Sequence, residues 1–150
     1  MTREFEFTIP GPVVAQSRPK AHRVGDKVIM HDVPKCVSYK MDVASCAYKE
    51  IMRRGITVPV LPDATGFAVL ISISKGLLKS MSKKKARMAL AGDIRPTSKP
   101  DLDNAAKGIL DALKGVFWKD DSAVTMLRVE KRYAEMDSAH VRIVWNEPDV

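Results

Sequence analysis

Residues 99–121 read KPDLDNAAKGILDALKGVFWKDD, a stretch with a close carboxylate pair at each end. Asp101 and Asp103 stand two apart at its start, and Asp120 and Asp121 adjoin at its close. Like charges a few ångströms apart raise the free energy unless solvent, a proton or a cation relieves them. Pro100 cannot lie in a helix interior and biases Lys99 towards extended backbone. The chain is therefore expected to reach Asp101 extended, where positions two apart share a side. On this reading Asp101 and Asp103 point together, Leu102 turns to the core, and Asp103 or Asn104 caps a helix over 104–114. Ala105, Ile109, Ala112 and Leu113 form that helix's inner face. Acids at a helix start also suit capping and the macrodipole, and an isolated Asp-Asp is an ordinary polar turn.

Chain length is what ties the two pairs together. The helix is about 16 Å long, and the seven residues from Lys114 to Asp121 span up to about 23 Å. The return is long enough to bring Asp121 back beside the helix start, with Gly115 turning the chain and Phe117 and Trp118 anchoring it under a sheet. Three carboxylates at one point are the ligand set of a hard divalent cation. Lys107 lies four residues after Asp103 and four before Asp111, so the three share a polar face. Beside a metal, its ammonium can hold a phosphate oxygen or steady developing negative charge.

Outward from this stretch the pattern alternates strands and helices. Phe5, Phe7 and Ile9 alternate with polar residues, which predicts a half-buried strand over 3–9. Gly25-Asp26 divides QSRPKAHRVGDKVIMHD like a hairpin tip. From Lys35 to Arg54, Val37, Met41, Ala44, Tyr48, Ile51 and Met52 recur at helical spacing, predicting an amphipathic helix closed by Gly55. GFAVLISISK (66–75) predicts a central strand, preceded by VPVLPDATG as a linker. SMSKKKARMALAG forms a short helix stopped by Gly92, and strands over about 123–133 and 138–145 finish the chain. The order β-α-β-(α)-α-β-β predicts an α+β fold, a mixed β-sheet flanked by helices, as a single domain over 1–150.

The bulk numbers bound the class. No 18-residue apolar run is present, and MTREFEFTIP lacks the layout of a signal peptide. Cys36 and Cys46 form no CxxC, so free thiols in a reducing, cytoplasmic setting are expected. Net charge is +7. Residues 75–99 hold eight Lys or Arg and one acid, so the whole excess lies there. A solvated face is the simplest account of a charge run, but this concentration favours a polyanion contact through Lys83, Lys84, Lys85 and Arg87. Arg18, Lys20, His22 and Arg23 are the second basic group.

Together these residues resemble the RusA family of Holliday junction resolvases. The likeness is carried by Asp101-Leu102-Asp103-Asn104, Lys107, Asp111-Ala112-Leu113 and Asp120-Asp121-Ser122, and more loosely by VVAQSRPKAHR after the first strand. The resemblance implies a RusA-like fold and a homodimeric, Mg²⁺-dependent endonuclease, with Mn²⁺ a substitute, that cuts four-way DNA junctions symmetrically. It makes Asp101, Asp103 and Asp121 the metal-binding and catalytic acids, Lys107 the catalytic lysine and Asp120 a supporting acid. Two alternatives are a non-catalytic nucleic-acid-binding protein and a metal-dependent nickase of flaps or branches. A pure binder gains nothing from four carboxylates facing DNA. The PD-(D/E)xK nuclease pattern, which Pro100-Asp101 invites, fails because no acid precedes a lysine by two residues anywhere in the chain.

Overall fold

The computed structural model describes residues 1–57 and 66–147. Strands β1 (Thr2–Pro10), β4 (Phe67–Gly76), β5 (Val124–Ala134) and β6 (Ser138–Asn146) make one mixed sheet in the order β1-β6-β4-β5. β2 (Lys20–Val24) and β3 (Lys27–His31) form a separate, wholly exposed hairpin turned at Gly25. The helices are α1 (Pro34–Arg54), α2 (Lys83–Ala91) and α3 (Leu102–Leu113). The α+β expectation holds, and the hairpin expected at Gly25-Asp26 lies between the first strand and the first helix. The linker read at 58–66 lies outside the described residues except for Gly66. Among the described residues no helix is long and apolar enough to cross a membrane.

Alternation places the core. Phe5, Phe7 and Ile9 of β1, Phe67, Val69, Ile71 and Ile73 of β4, and Val141, Ile143 and Trp145 of β6 are all buried on one side of the sheet. Against them lie Tyr39, Val43, Ala47 and Ile51 of α1 and Ala105, Ile109 and Leu113 of α3. Residues of the opposite parity, such as Glu4, Glu6, His140 and Arg142, pair across the other side, as in the Arg142 Nε–Glu4 Oε1 contact at 2.5 Å.

β5 and β6 are separated by three residues yet do not pair. β4 lies between them, parallel to β5 and antiparallel to β6. The short connection steps over the end of β4, where Gly76 N donates to Asp137 Oδ1 (2.8 Å) and Leu77 N donates to the Ala134 carbonyl (3.1 Å). Gly11 N donates to the Asp137 carbonyl (3.0 Å), so one residue closes the ends of two strands.

Two local expectations are corrected. The α1 face read from the sequence is displaced by about one residue: Cys36, Tyr39, Val43, Ala47 and Ile51 are buried, while Val37, Met41, Tyr48 and Met52 are exposed. Both sets recur at helical spacing, and periodicity alone does not choose between two neighbouring apolar stripes. Helix α3 starts earlier than expected. Asp101 is its N-cap, with extended backbone, and its carbonyl accepts from Ala105 N at 3.0 Å. Asp103 therefore sits in the first helical turn, and the extended alternation that would align it with Asp101 does not apply.

Gly66 leads into β4 with φ +68°, and a Cβ there would lie 2.8 Å from Thr125 Cγ2. Gly66→Ala should lower stability by about 1–2 kcal/mol from the left-handed backbone alone, with the Thr125 clash adding to it. Urea denaturation of the two proteins checks this.

Candidate active site

Helix α3 is the frame of the site. Its buried side carries Ala105, Ala106, Gly108, Ile109 and Leu113, small at the start and large at the end. Small residues let the loop after β1 cross the helix closely. A Cβ on Gly108 would stand 3.7 Å from both Gln16 N and the Val14 carbonyl, and Gln16 N donates to the Asn104 carbonyl at 3.0 Å. This contact brings Gln16, Ser17 and Arg18 to the polar side of α3.

The chain then turns back. Gly115 has φ +83° and its N–H donates to the Trp118 carbonyl at 2.7 Å. Val116, Phe117 and Trp118 are buried beneath the sheet, so the return is compact rather than extended. The Trp118 indole Nε1 donates to Asp121 Oδ1 at 3.3 Å, which aims that carboxylate at α3. Burial, together with the neighbouring Asp111 carboxylate, pushes the Asp121 carboxyl above its usual range, against the opposing Trp118 hydrogen bond.

Asp120 faces the other way. Its carboxylate accepts from the Ser122 hydroxyl (2.8 Å) and Ser122 N (3.4 Å), and Lys114 Nζ lies 3.4 Å away. These contacts, the Ser122 hydroxyl first, hold its pKa below the usual carboxylate range. It caps the 3₁₀ turn Asp121–Ala123 and so supports Asp121 by shaping the turn.

Asp103, Lys107 and Asp121 line one recess of about 330 Å³, walled by Leu102, Leu110 and Leu127. Lys107 also borders a second recess of about 420 Å³, with Arg18, Asp32, Lys40 and Asp111. Lys40 Nζ is 3.0 Å from Asp32 Oδ2 and 3.6 Å from Asp111 Oδ2, so one ammonium joins α1 to α3. Lys40 first, then Gln16, hold Asp32 below its usual pKa. The lysine ridge thus separates an acidic recess from a mixed one.

The structure brings Asp103, Lys107 and Asp121 together and leaves Asp101 outside their recess. Asp101 makes no side-chain cap bond and lies 3.5 Å from Lys99 Nζ, on the surface. No three His, Cys, Asp or Glu among the described residues form a ready metal cluster. The donors still suit Mg²⁺, which keeps several waters and commonly takes one or two protein carboxylates plus substrate phosphate oxygens. Asp103 and Asp121, which line one recess, are such a pair.

Lys83, Lys84, Lys85 and Arg87 are exposed on α2, whose N-cap Ser82 accepts from Lys85 N at 3.1 Å. Lys20 and Arg23 stand on the β2–β3 hairpin, where Arg23 Nε donates to the Gly25 carbonyl at 3.3 Å. Only Arg18 of the predicted basic residues borders the α3 recesses. Sequence reasoning missed Gln16, Asp32 and Lys40. Nothing in their local pattern marks them, because each comes from a separate element.

The profile of a protein family described as "Endodeoxyribonuclease RusA" matches residues 10–144. A Bacillus subtilis (strain 168) protein named "Uncharacterized protein YqaN" is 39% identical over 141 residues, covering 93% of this chain and 94% of its own length.

The state of Asp121 sets a pH signature. Its folded pKa lies above the unfolded value near 3.8, so the ionised group destabilises the native state at neutral pH. Asp121→Asn keeps an acceptor for Trp118 and should raise the melting temperature at pH 7. The advantage should fade as pH falls through the raised folded pKa towards 3.8, where the wild-type carboxyl takes up its proton. Melting curves of both proteins between pH 7 and pH 3.5 test the sign.

Proposed function

The chain belongs to the RusA endodeoxyribonuclease family, and on that premise we propose that it is a Mg²⁺-dependent enzyme, able to use Mn²⁺, that resolves four-way DNA junctions as a homodimer. The observation that carries this reading is the recess shared by Asp103, Lys107 and Asp121. The reaction breaks the bond from phosphorus to the 3′-oxygen while a water oxygen adds to phosphorus. Negative charge grows on the phosphoryl oxygens and on the departing 3′-oxygen.

Asp103 and Asp121 would hold the cation, with Asp101 as third acid once it leaves Lys99. Bound there, a divalent ion supplies positive charge to the phosphate and makes water a better nucleophile. Lys107, exposed between the two recesses, holds a non-bridging phosphate oxygen and stabilises the charge that develops on it. Lys40 neutralises Asp111 from the α1 side, so that the second recess does not repel the strand. Asp120 keeps the turn in place.

The electrostatics of α2 support a DNA contact. Lys83, Lys84 and Lys85 occupy its first turn, which holds no acid. Cations at the positive end of a helix dipole are disfavoured, typically by 0.3–1 kcal/mol each. A DNA phosphate relieves both the dipole and the lysines' mutual repulsion. Arg18, at the border of the second recess, together with Lys20 and Arg23 of the hairpin supplies a second contact. Two free thiols, Cys36 and Cys46, agree with a reducing cytoplasm where such DNA is found.

The deciding experiment is incubation of the purified protein with Mg²⁺ and labelled four-way junction, flap and duplex DNA. Paired, symmetric cuts in the junction alone are expected. Equal cutting of flaps would make it a general branch nickase, and no cutting of any substrate would leave a binding protein. Asp103→Asn and Asp121→Asn should each abolish cleavage while leaving junction affinity equal or higher, because phosphate repulsion falls. Lys107→Ala should slow single-turnover cleavage by about 10²-fold.

A separate titration reads the α2 contact. Each phosphate neutralised contributes about −0.9 to the slope of log K against log salt. Changing Lys83, Lys84, Lys85 and Arg87 to Ala should flatten that slope by several units and weaken binding at moderate salt. An unchanged slope would move the contact to Arg18, Lys20 and Arg23.

A further inference from the structure

The outer face of α1 takes no part in the site. Val37, Met41, Tyr48 and Met52 are 42%, 67%, 43% and 80% exposed, although Tyr39, Val43, Ala47 and Ile51 on the same helix are buried. With half-buried Ala44 they recur every three or four residues and make one apolar stripe about 22 Å long. Single exposed apolar residues need no explanation, but a contiguous stripe marks a contact surface. At its middle, Met41, Ala44, Ser45 and Tyr48 are the i, i+3, i+4, i+7 set that a crossing helix touches. Its centre is small and its flanks are large, so a second helix can approach closely between Met41 and Tyr48.

We propose that this stripe is the contact with a second copy of the chain, made by antiparallel packing of α1 on α1 about a two-fold axis between Ala44 and Ser45. In that orientation the stripe is complementary to itself: Met41 of each copy faces Tyr48 of the other, and Val37 faces Met52. Self-complementarity of one patch is what a two-fold interface requires. Charge complementarity fits the same direction. Asp42 and Lys49 lie on one edge of the stripe, seven residues and two turns apart, and neither forms an ion pair among the described residues. An antiparallel two-fold sets this edge against the same edge of the partner, and so brings Asp42 of each copy near Lys49 of the other.

The inference deepens the dimer reading and rests on it for its consequence. Lys40, on the flank of α1 away from Asp42 and Lys49, reaches Asp111 beside the recesses. A pair of α1 helices therefore ties both catalytic recesses rigidly to the two-fold axis, as symmetric cutting of a two-fold junction needs.

Sedimentation of the full chain at micromolar concentration tests the assignment, with circular dichroism confirming that each variant is folded. The wild type is expected as a dimer and Met41→Lys/Tyr48→Lys as a folded monomer. Asp42→Lys should weaken the dimer at least tenfold, and adding Lys49→Asp should restore it. In a Cys46→Ser background, Ser45→Cys should give a disulfide-linked dimer under mild oxidation. A wild-type dimer that survives Met41→Lys/Tyr48→Lys, without the Ser45→Cys cross-link, would overturn the α1 interface and leave the dimer reading standing. A wild-type monomer would overturn both. Cleavage is not read in these measurements, so failure of the nuclease assignment would leave the interface standing.

Discussion

The site depends on the burial of Val116, Phe117 and Trp118 beneath the sheet. Phe117 packs 4.8 Å from Phe5, and Trp118 packs 5.4 Å from Phe67, ring centre to ring centre. These contacts join the first strand, the central strand and the segment after α3 in one aromatic cluster. Burying large aromatic side chains outweighs any single surface interaction in the molecule. The Trp118 indole, fixed by this packing, then directs its one polar group at Asp121. A half-buried carboxylate is held near Asp111 because an apolar wedge behind it has nowhere else to go.

Opposite the wedge, α3 arranges charge along one ridge. Asp103, Lys107 and Asp111 follow one another at four-residue intervals, with Asp121 and Lys40 approaching from opposite sides. Surface pairs of this kind contribute only tenths of a kcal/mol to stability. The arrangement instead gathers carboxylates beside one helix, and burial first, then the neighbouring Asp111, raises the Asp121 carboxyl above its usual range. The three lysines at the start of α2, in a turn that holds no acid, show the opposite imbalance, a surplus of positive charge.

Several elements were legible in the chain because their signals are local. The alternation of Phe5, Phe7 and Ile9, the Gly25 turn, the Gly55 and Gly92 stops and the helix after Pro100 all recur in the structure at or near the expected bounds. The buried face of α1 was not legible. Two apolar stripes lie side by side on that helix, and only the sheet and α3 select the one headed by Tyr39. The start of α3 was misplaced by two residues for a related reason: Asp101 and Asp103 both suit a cap, and the backbone chose Asp101.

The sequence by itself determined the types of element, the crowding of acids at both ends of residues 99–121 and the presence of Lys107 on their shared face. These follow from helical periodicity, proline and glycine geometry and chain reach, all of which act within a few residues. Only the tertiary structure decided that β4 enters between β5 and β6. It alone set Asp121 against Asp111 and Asp103 while Asp101 stayed with Lys99, and it alone brought Gln16, Asp32 and Lys40 to the α3 ridge. Such pairings join residues that lie far apart along the chain or on separate elements. Their energies come from burial and close packing of whole faces, which no short stretch encodes.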